Sequence, residues 1–317
     1  MVIHWQYQEN NVTTLIATSV VRGSQQGDSH GGVYLVDLAT QQARQMLDWN
    51  TVDIDWRGRG WDRGLRGIAC AGERIFIAAS DELYAYTPDF RPIGSWRNPY
   101  LKHCHEICLW QDQLFLTSTG FDSILGFNLN TETFDWALAV DTDGLRYRAA
   151  TFDPKGDQGP LMLNKLHLNS IHCNGDGMYF SGLNTDGMLH FNGRGVNMSA
   201  TLPGGTHNAR PFQDGVLFND TRADVLRFAS RDQDRDRAFG VPQYGETELT
   251  GVGLDESRIA RAGFARGLCV ISDSLVAGGS SPSSIAVHDL KSGETALSVR
   301  LSSDVRNAIH GLEVWPY

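Results

Sequence analysis

Short apolar runs alternate with polar turns along the chain, and five of them repeat with fixed internal spacing. Aligned on the residue that opens each, the segments are Arg66-Gly-Ile-Ala-Cys, His105-Glu-Ile-Cys-Leu, Asn169-Ser-Ile-His-Cys, His207-Asn-Ala-Arg-Pro and Arg266-Gly-Leu-Cys-Val. Seven residues after each opener stands an acid (Glu73, Asp112, Asp176, Asp214, Asp273), and nine after it a second apolar run begins, such as Ile75-Phe-Ile or Met178-Tyr-Phe. Apolar strand, polar turn, apolar strand is the pattern of a β-hairpin. Third and fourth strands follow, as in Ile124–Leu129 and Thr133–Leu138, so each unit reads as a four-stranded antiparallel meander. Meanders repeated around an axis are the blades of a β-propeller.

The openers are 39, 64, 38 and 59 residues apart. The short intervals match one blade, and the long ones carry insertions at about 139–165 and 237–264. A sixth blade is divided between the ends of the chain. Ile309–Val314 supplies an innermost strand with no hairpin partner after it, and Thr14–Thr18, Val33–Leu38 and Ala43–Leu47 supply the other three. The expected fold is all-β: one domain over residues 1–317, a six-bladed β-propeller of four-stranded blades. Its first blade is split between about 10–50 and 309–317, and the ring closes by pairing the N- and C-terminal strands. Ile3–Tyr7 competes for the innermost position at that closure.

Composition then narrows the function classes. Lys and Arg number 27 against 37 Asp and Glu, a formal charge of −10, which argues against a nucleic acid or an anionic membrane as partner. No stretch approaches the ~20 apolar residues of a membrane span, and the first residues lack the basic and apolar regions of a secretory signal, so the expected location is the cytoplasm. The five cysteines include no C-x-x-C pair. They suggest neither a disulfide framework nor a structural zinc site, and are expected to be reduced and mostly buried.

In a propeller the residues that open the innermost strands meet around the central channel. Here these are His310, Arg66, His105, Asn169, His207 and Arg266, with histidines on alternate blades. Three imidazoles spaced around a rigid ring suit Fe(II), Mn(II), Zn or another divalent transition metal and leave positions open for water or substrate. His105, His207 and His310 are therefore the candidate metal ligands. Glu106, Glu313 and His167 are candidate acid–base or supporting groups. Whether His103 or His167 joins the axial set is left open by the alternation of side chains along a strand. Arg66 and Arg266 have the fork geometry that holds a carboxylate or phosphate, and with Asn169 and Asn208 they are the candidate substrate-binding residues. The bland reading of the same residues is a polar channel lining in which arginines pair with neighbouring acids. Arg210 is expected to brace its blade. Arg146, Tyr147, Arg148 and Lys165 in the first insertion, and Tyr244, Glu246 and Arg261 in the second, are candidates to cap the site. Neither Gly58–Gly64 nor Leu202–Thr206 matches a nucleotide-binding loop, and Ser170 lies beside the axis without the arrangement of a serine hydrolase.

Four segments resemble an uncharacterised bacterial six-bladed propeller family: Phe264–Ser281, Val287–Gly293, Leu166–Ser170 and Gly311–Pro316. The resemblance follows the chain in blade order; it implies the fold and no particular reaction. Six-bladed lactonases bind calcium through Glu, Asn and Asp on the axis, and the His and Arg found here depart from that pattern. The four-histidine iron site of carotenoid oxygenases is similar in idea, but that family's propeller has seven blades.

These readings lead to a metal-dependent enzyme, of hydrolase, lyase or isomerase type, acting on a small polar or anionic substrate at the axis. With iron, a non-haem oxygenase is the second alternative. From a different class, a non-catalytic propeller would bind a peptide or protein partner through exposed apolar residues; Trp49, Trp56 and Trp61 are its candidates.

Overall fold

The computed structural model describes residues 14–50, 64–252 and 261–317. Ile3–Tyr7, Trp56, Trp61 and Gly58–Gly64 (but for its last residue) lie outside the described residues. Six antiparallel sheets follow one another as the blades of a six-bladed β-propeller. The innermost strands are Asn307–Val314, Ile68–Ala71, Ile107–Trp110, Leu168–Asn174, Thr206–Phe212 and Gly263–Val270. They belong to blades one to six in that order. Each repeated acid stands in the tight turn after its inner strand, where a carboxylate stays in water.

Blade one is the split blade. Its inner strand Asn307–Val314 pairs antiparallel with Thr14–Val21, placing Leu15 opposite Val314 and Val21 opposite Asn307. Blade three carries a fifth strand: Thr133–Thr142 runs on past the expected blade and pairs with Tyr147–Phe152. The first insertion therefore begins as an extra hairpin on the outer edge of the ring. The second begins with Arg237–Gly240, the outer strand of blade five.

The core lies between blades, because each sheet buries both faces against its neighbours. Phe76 of blade two and Phe127 of blade three, both fully buried, stand 6.4 Å apart, and Trp96 and Phe134 pack on Phe127 at 5.0 and 5.1 Å. Burying each such ring contributes about 1.5–3 kcal/mol. Among the described residues, no helix is long and apolar enough to cross a membrane. All five cysteines are free thiols.

Candidate functional site

The openers sit where the inner strands leave regular pairing. Register shifts fall between His207 and Arg210, between Leu168 and Ser170, and on both sides of Arg266. A bulge takes a residue out of the ladder and re-aims its side chain. In blade three Thr117 stands in for the ladder, its hydroxyl accepting the backbone N–H of both His105 and Glu106 at 3.0 Å.

The rings so aimed come together. The His105 ring centre lies 6.3 Å from that of His207, 6.2 Å from His310 and 5.4 Å from His167. His167 therefore belongs to the axial group. The alternation rule could not decide this because His103 and His167 both precede their strands and both have positive φ, 55° each. Arg266 reaches the same point, its Nη1 donating to His310 Nε2 at 3.2 Å.

Hydrogen bonds on the far side of the rings determine which nitrogen is bare. His105 Nδ1 lies 2.7 Å from the His103 carbonyl and 2.9 Å from Thr119 Oγ1. His207 Nδ1 lies 3.0 Å from the Gly205 carbonyl and 2.9 Å from Thr221 Oγ1. A carbonyl can only accept, so each Nδ1 carries the proton and each Nε2 keeps its lone pair. His207 Nε2 is buried and has no hydrogen-bond partner among the described residues. His310 Nε2 also presents its lone pair, since a guanidinium can only donate. The two threonines pass the constraint to the next blade, Thr119 donating to the Leu168 carbonyl and Thr221 to Ala265. Each stands 14 residues after its histidine. That shared offset is a signal legible in the sequence.

Burial holds His105, His207 and His310 well below the usual imidazole range, helped by the charge of Arg66 at His105 and of Arg266 at the other two. The rings are neutral at pH 7 inside a positive field. Arg22, at the end of a blade-one strand, adds to that field at His207 and His310; no motif announced it. Arg22 and Arg266 lie over the Phe264 ring, 4.0 and 4.4 Å from its centre. Phe264 itself has φ of 57°, an unfavourable backbone for a bulky residue, and its N–H is held by Asp224 at 2.8 Å.

Below the histidines runs a layer of braces. Glu106 accepts from Ile171 N at 3.1 Å, Asn208 Nδ2 at 3.2 Å and Arg210 Nη2 at 3.3 Å. Asn208 Oδ1 accepts from Gly267 N at 2.9 Å, and Ser170 Oγ accepts from Ala209 N at 3.2 Å. Asn169 donates to the Thr206 carbonyl at 3.0 Å. The bonds from Asn208 and Arg210 to Glu106 join blade five to blade three, and the others tie one blade to the next. Arg210 also donates to Leu268 O at 3.0 Å and spans blades as a brace. Glu313 lies in the same layer with Cys269 Sγ 3.9 Å away. Burial raises the carboxyl pKa of both Glu106 and Glu313, against the pull of Arg210.

Most of the capping candidates are engaged elsewhere. Tyr147 bonds the Thr185 carbonyl, Arg148 pairs with Asp143, Lys165 with Asp141, and Tyr244 meets Ser284 at 2.7 Å. Arg261 comes nearest the axis: it grips Asp224 and lies 5.2 Å from the Phe264 ring centre. One expectation is overturned. Trp49 is buried, with its ring edge-on to Tyr84 at 5.1 Å, so it presents no surface to a partner.

The donor set suits a transition metal chemically, as neutral imidazoles, with the His310 Nε2 lone pair engaged by Arg266. Nε2 ligation of one ion at about 2.1 Å would need ring centres roughly 5 Å apart, closer than His105 stands to His207 or His310. Among the described residues, no three His, Cys, Asp or Glu side chains are already drawn together as ligands.

The chain matches no family model and no curated protein. Solved structures do match it. A chain of a nidogen–laminin complex aligns over 95% of this chain and 97% of its own, at 12% identity and a TM-score of 0.57. A protein of unknown function from Bacteroides caccae gives the same coverage and identity at 0.56. The C-terminal WD40 domain of Sif2 aligns over 93% and 90% at 10% identity and 0.50. The likeness is one of fold. The propeller part of the family resemblance stands on this footing, and no activity comes with it.

Proposed function

We propose that the axial site is the active site of a metal-dependent enzyme acting on a small anionic substrate. The observation that carries the reading is His207 Nε2, a buried lone pair without a hydrogen-bond partner among the described residues, on a ring whose Nδ1 is anchored. An orphaned buried acceptor is unfavourable by about 1–3 kcal/mol, so such a site is built for an occupant. His105, His207 and His310 would hold the metal, which when bound polarises a carbonyl or activates water for hydrolysis, lyase or isomerase chemistry. Iron there would admit oxygenase chemistry.

The remaining roles belong to the chain itself. Arg66 and Arg266 hold the anionic group of the substrate, and Arg266 gives up His310 Nε2 when that nitrogen ligates. Thr119 and Thr221 keep the proton on Nδ1. His167 is the imidazole placed to move a proton beside His105. Glu106 and Asn208 keep the ring of blades in register beneath them. The partner-binding alternative rests on Leu161, Met162 and Leu163, exposed beside Gly120, and it carries no comparable anchoring.

The test is metal content of untagged protein after anaerobic reconstitution, beside a folded His207→Ala variant. About one equivalent of iron, manganese or zinc, lost in the variant, supports the reading. Wild-type protein that takes up no metal, or a variant that retains it, overturns it.

A further inference from the structure

We propose that Cys108 and Cys173 form a redox-active dithiol that reduces hydroperoxides and closes to a disulfide between blades three and four. The two residues lie on adjacent inner strands, at the end of the axis away from the histidine ring. Cys173 N–H donates to Cys108 Sγ at 3.3 Å. Two residues away on each strand, the bond from Ile171 N to Glu106 Oε2 pins the same pair of strands together. Access comes from outside the ring: Cys173 lines an open cleft of about 690 Å³, with Trp110, Trp136, Met178 and Phe191, and Cys108 is only partly buried. A reactive thiol is helped by a neighbouring cation and partial exposure; Arg210, paired with Glu106, is the cation that acts on Cys108.

The direction of the shifts agrees with this placement. A hydrogen bond from the Cys173 thiol holds the Cys108 thiol below its ordinary value, whereas burial raises Cys70 and Cys104 to about 12 and Cys269 well upward. Cys108, the less buried of the two and the acceptor of the Cys173 N–H, is the attacking sulfur. Its thiolate displaces on the terminal peroxide oxygen: the S–O bond forms, the O–O bond breaks, and the leaving alkoxide or hydroxide takes a proton. Cys173 then attacks the sulfenic sulfur, the S–S bond forms, and the hydroxyl leaves as water. Two thiols are oxidised by two electrons and one peroxide is reduced. An external dithiol restores the pair.

The site is independent of the histidine ring, and so is its test. Native wild-type protein is treated with one equivalent of hydrogen peroxide, alkylated in denaturant and digested with trypsin without reduction. Cleavage after Lys102, Arg146, Lys165 and Arg194 places Cys108 and Cys173 on different peptides, and fragmentation separates Cys108 from Cys104. The expected result is a Cys108–Cys173 cross-linked peptide, formed at least ~10-fold faster than any oxidation of Cys70, Cys104 or Cys269. In Cys173→Ser, dimedone should label Cys108. Recovery of Cys108 and Cys173 as alkylated thiols, or oxidation of the five cysteines at similar rates, would overturn the proposal. Because the wild-type readout stands alone, a misfolded variant does not rescue it.

Discussion

At the scale of the residue, burial sets which proton state a side chain can hold, and His288 reports this away from the axis. Its ring stacks on Phe239 at 4.4 Å, its Nδ1 meets Thr295 Oγ1 at 3.0 Å, and burial pushes its pKa down to about 4. The unfolded chain takes up this proton near pH 6.5 and the folded one only near 4. Unfolded protein therefore binds more protons in that window, and stability falls as pH falls, by at most ~1.4 kcal/mol per unit. His288→Phe keeps a ring on Phe239 and removes the titration. In urea melts between pH 7 and 4.5 the wild type should lose about 2 kcal/mol more than the variant; parallel curves would show that His288 is not buried neutral. Glu106 and Glu313 act with the opposite sign, since their folded carboxyls hold protons that the unfolded chain has released, so only the difference between variants isolates one group.

At the scale of the element, the inner strands are joined by side chains where hydrogen bonding between sheets is absent. Asn208 is the densest of these joints, binding Glu106, Asn219 and Gly267 N from a backbone with φ of 54°. Asn208→Ala should cost about 1–3 kcal/mol, since it leaves the buried Gly267 N–H unmatched and takes one of their partners from Glu106 and Asn219. Chemical denaturation measures it, and a loss under 1 kcal/mol would show that the joint is dispensable. The hairpins were legible in the sequence because a turn and its two strands are local, within nine residues of each opener. The joints were not, because Glu106 meets Ile171 and Asn208 meets Gly267 across some 60 residues of chain. Glu106 therefore read as a free carboxylate next to a histidine, and the structure shows it bonded on both oxygens.

At the scale of the whole molecule, ring closure depends on one pairing of distant segments. Removal of residues 307–317 leaves blade one without its inner strand and uncovers Leu15 and Ala17, which are fully buried. The truncated chain should lose cooperative thermal unfolding and bind a hydrophobic dye at 25 °C; a sharp transition within a few degrees of the intact protein would show that the remaining blades close without it. The axial residues follow the circle as His310, Arg66, His105, Asn169, His207 and Arg266. Such alternation has a parity. Strict alternation of imidazole and non-imidazole openers closes only on an even number of blades, and with six every histidine opener faces a non-histidine opener across the axis. A ring with one blade more or fewer would have to set two openers of the same kind side by side.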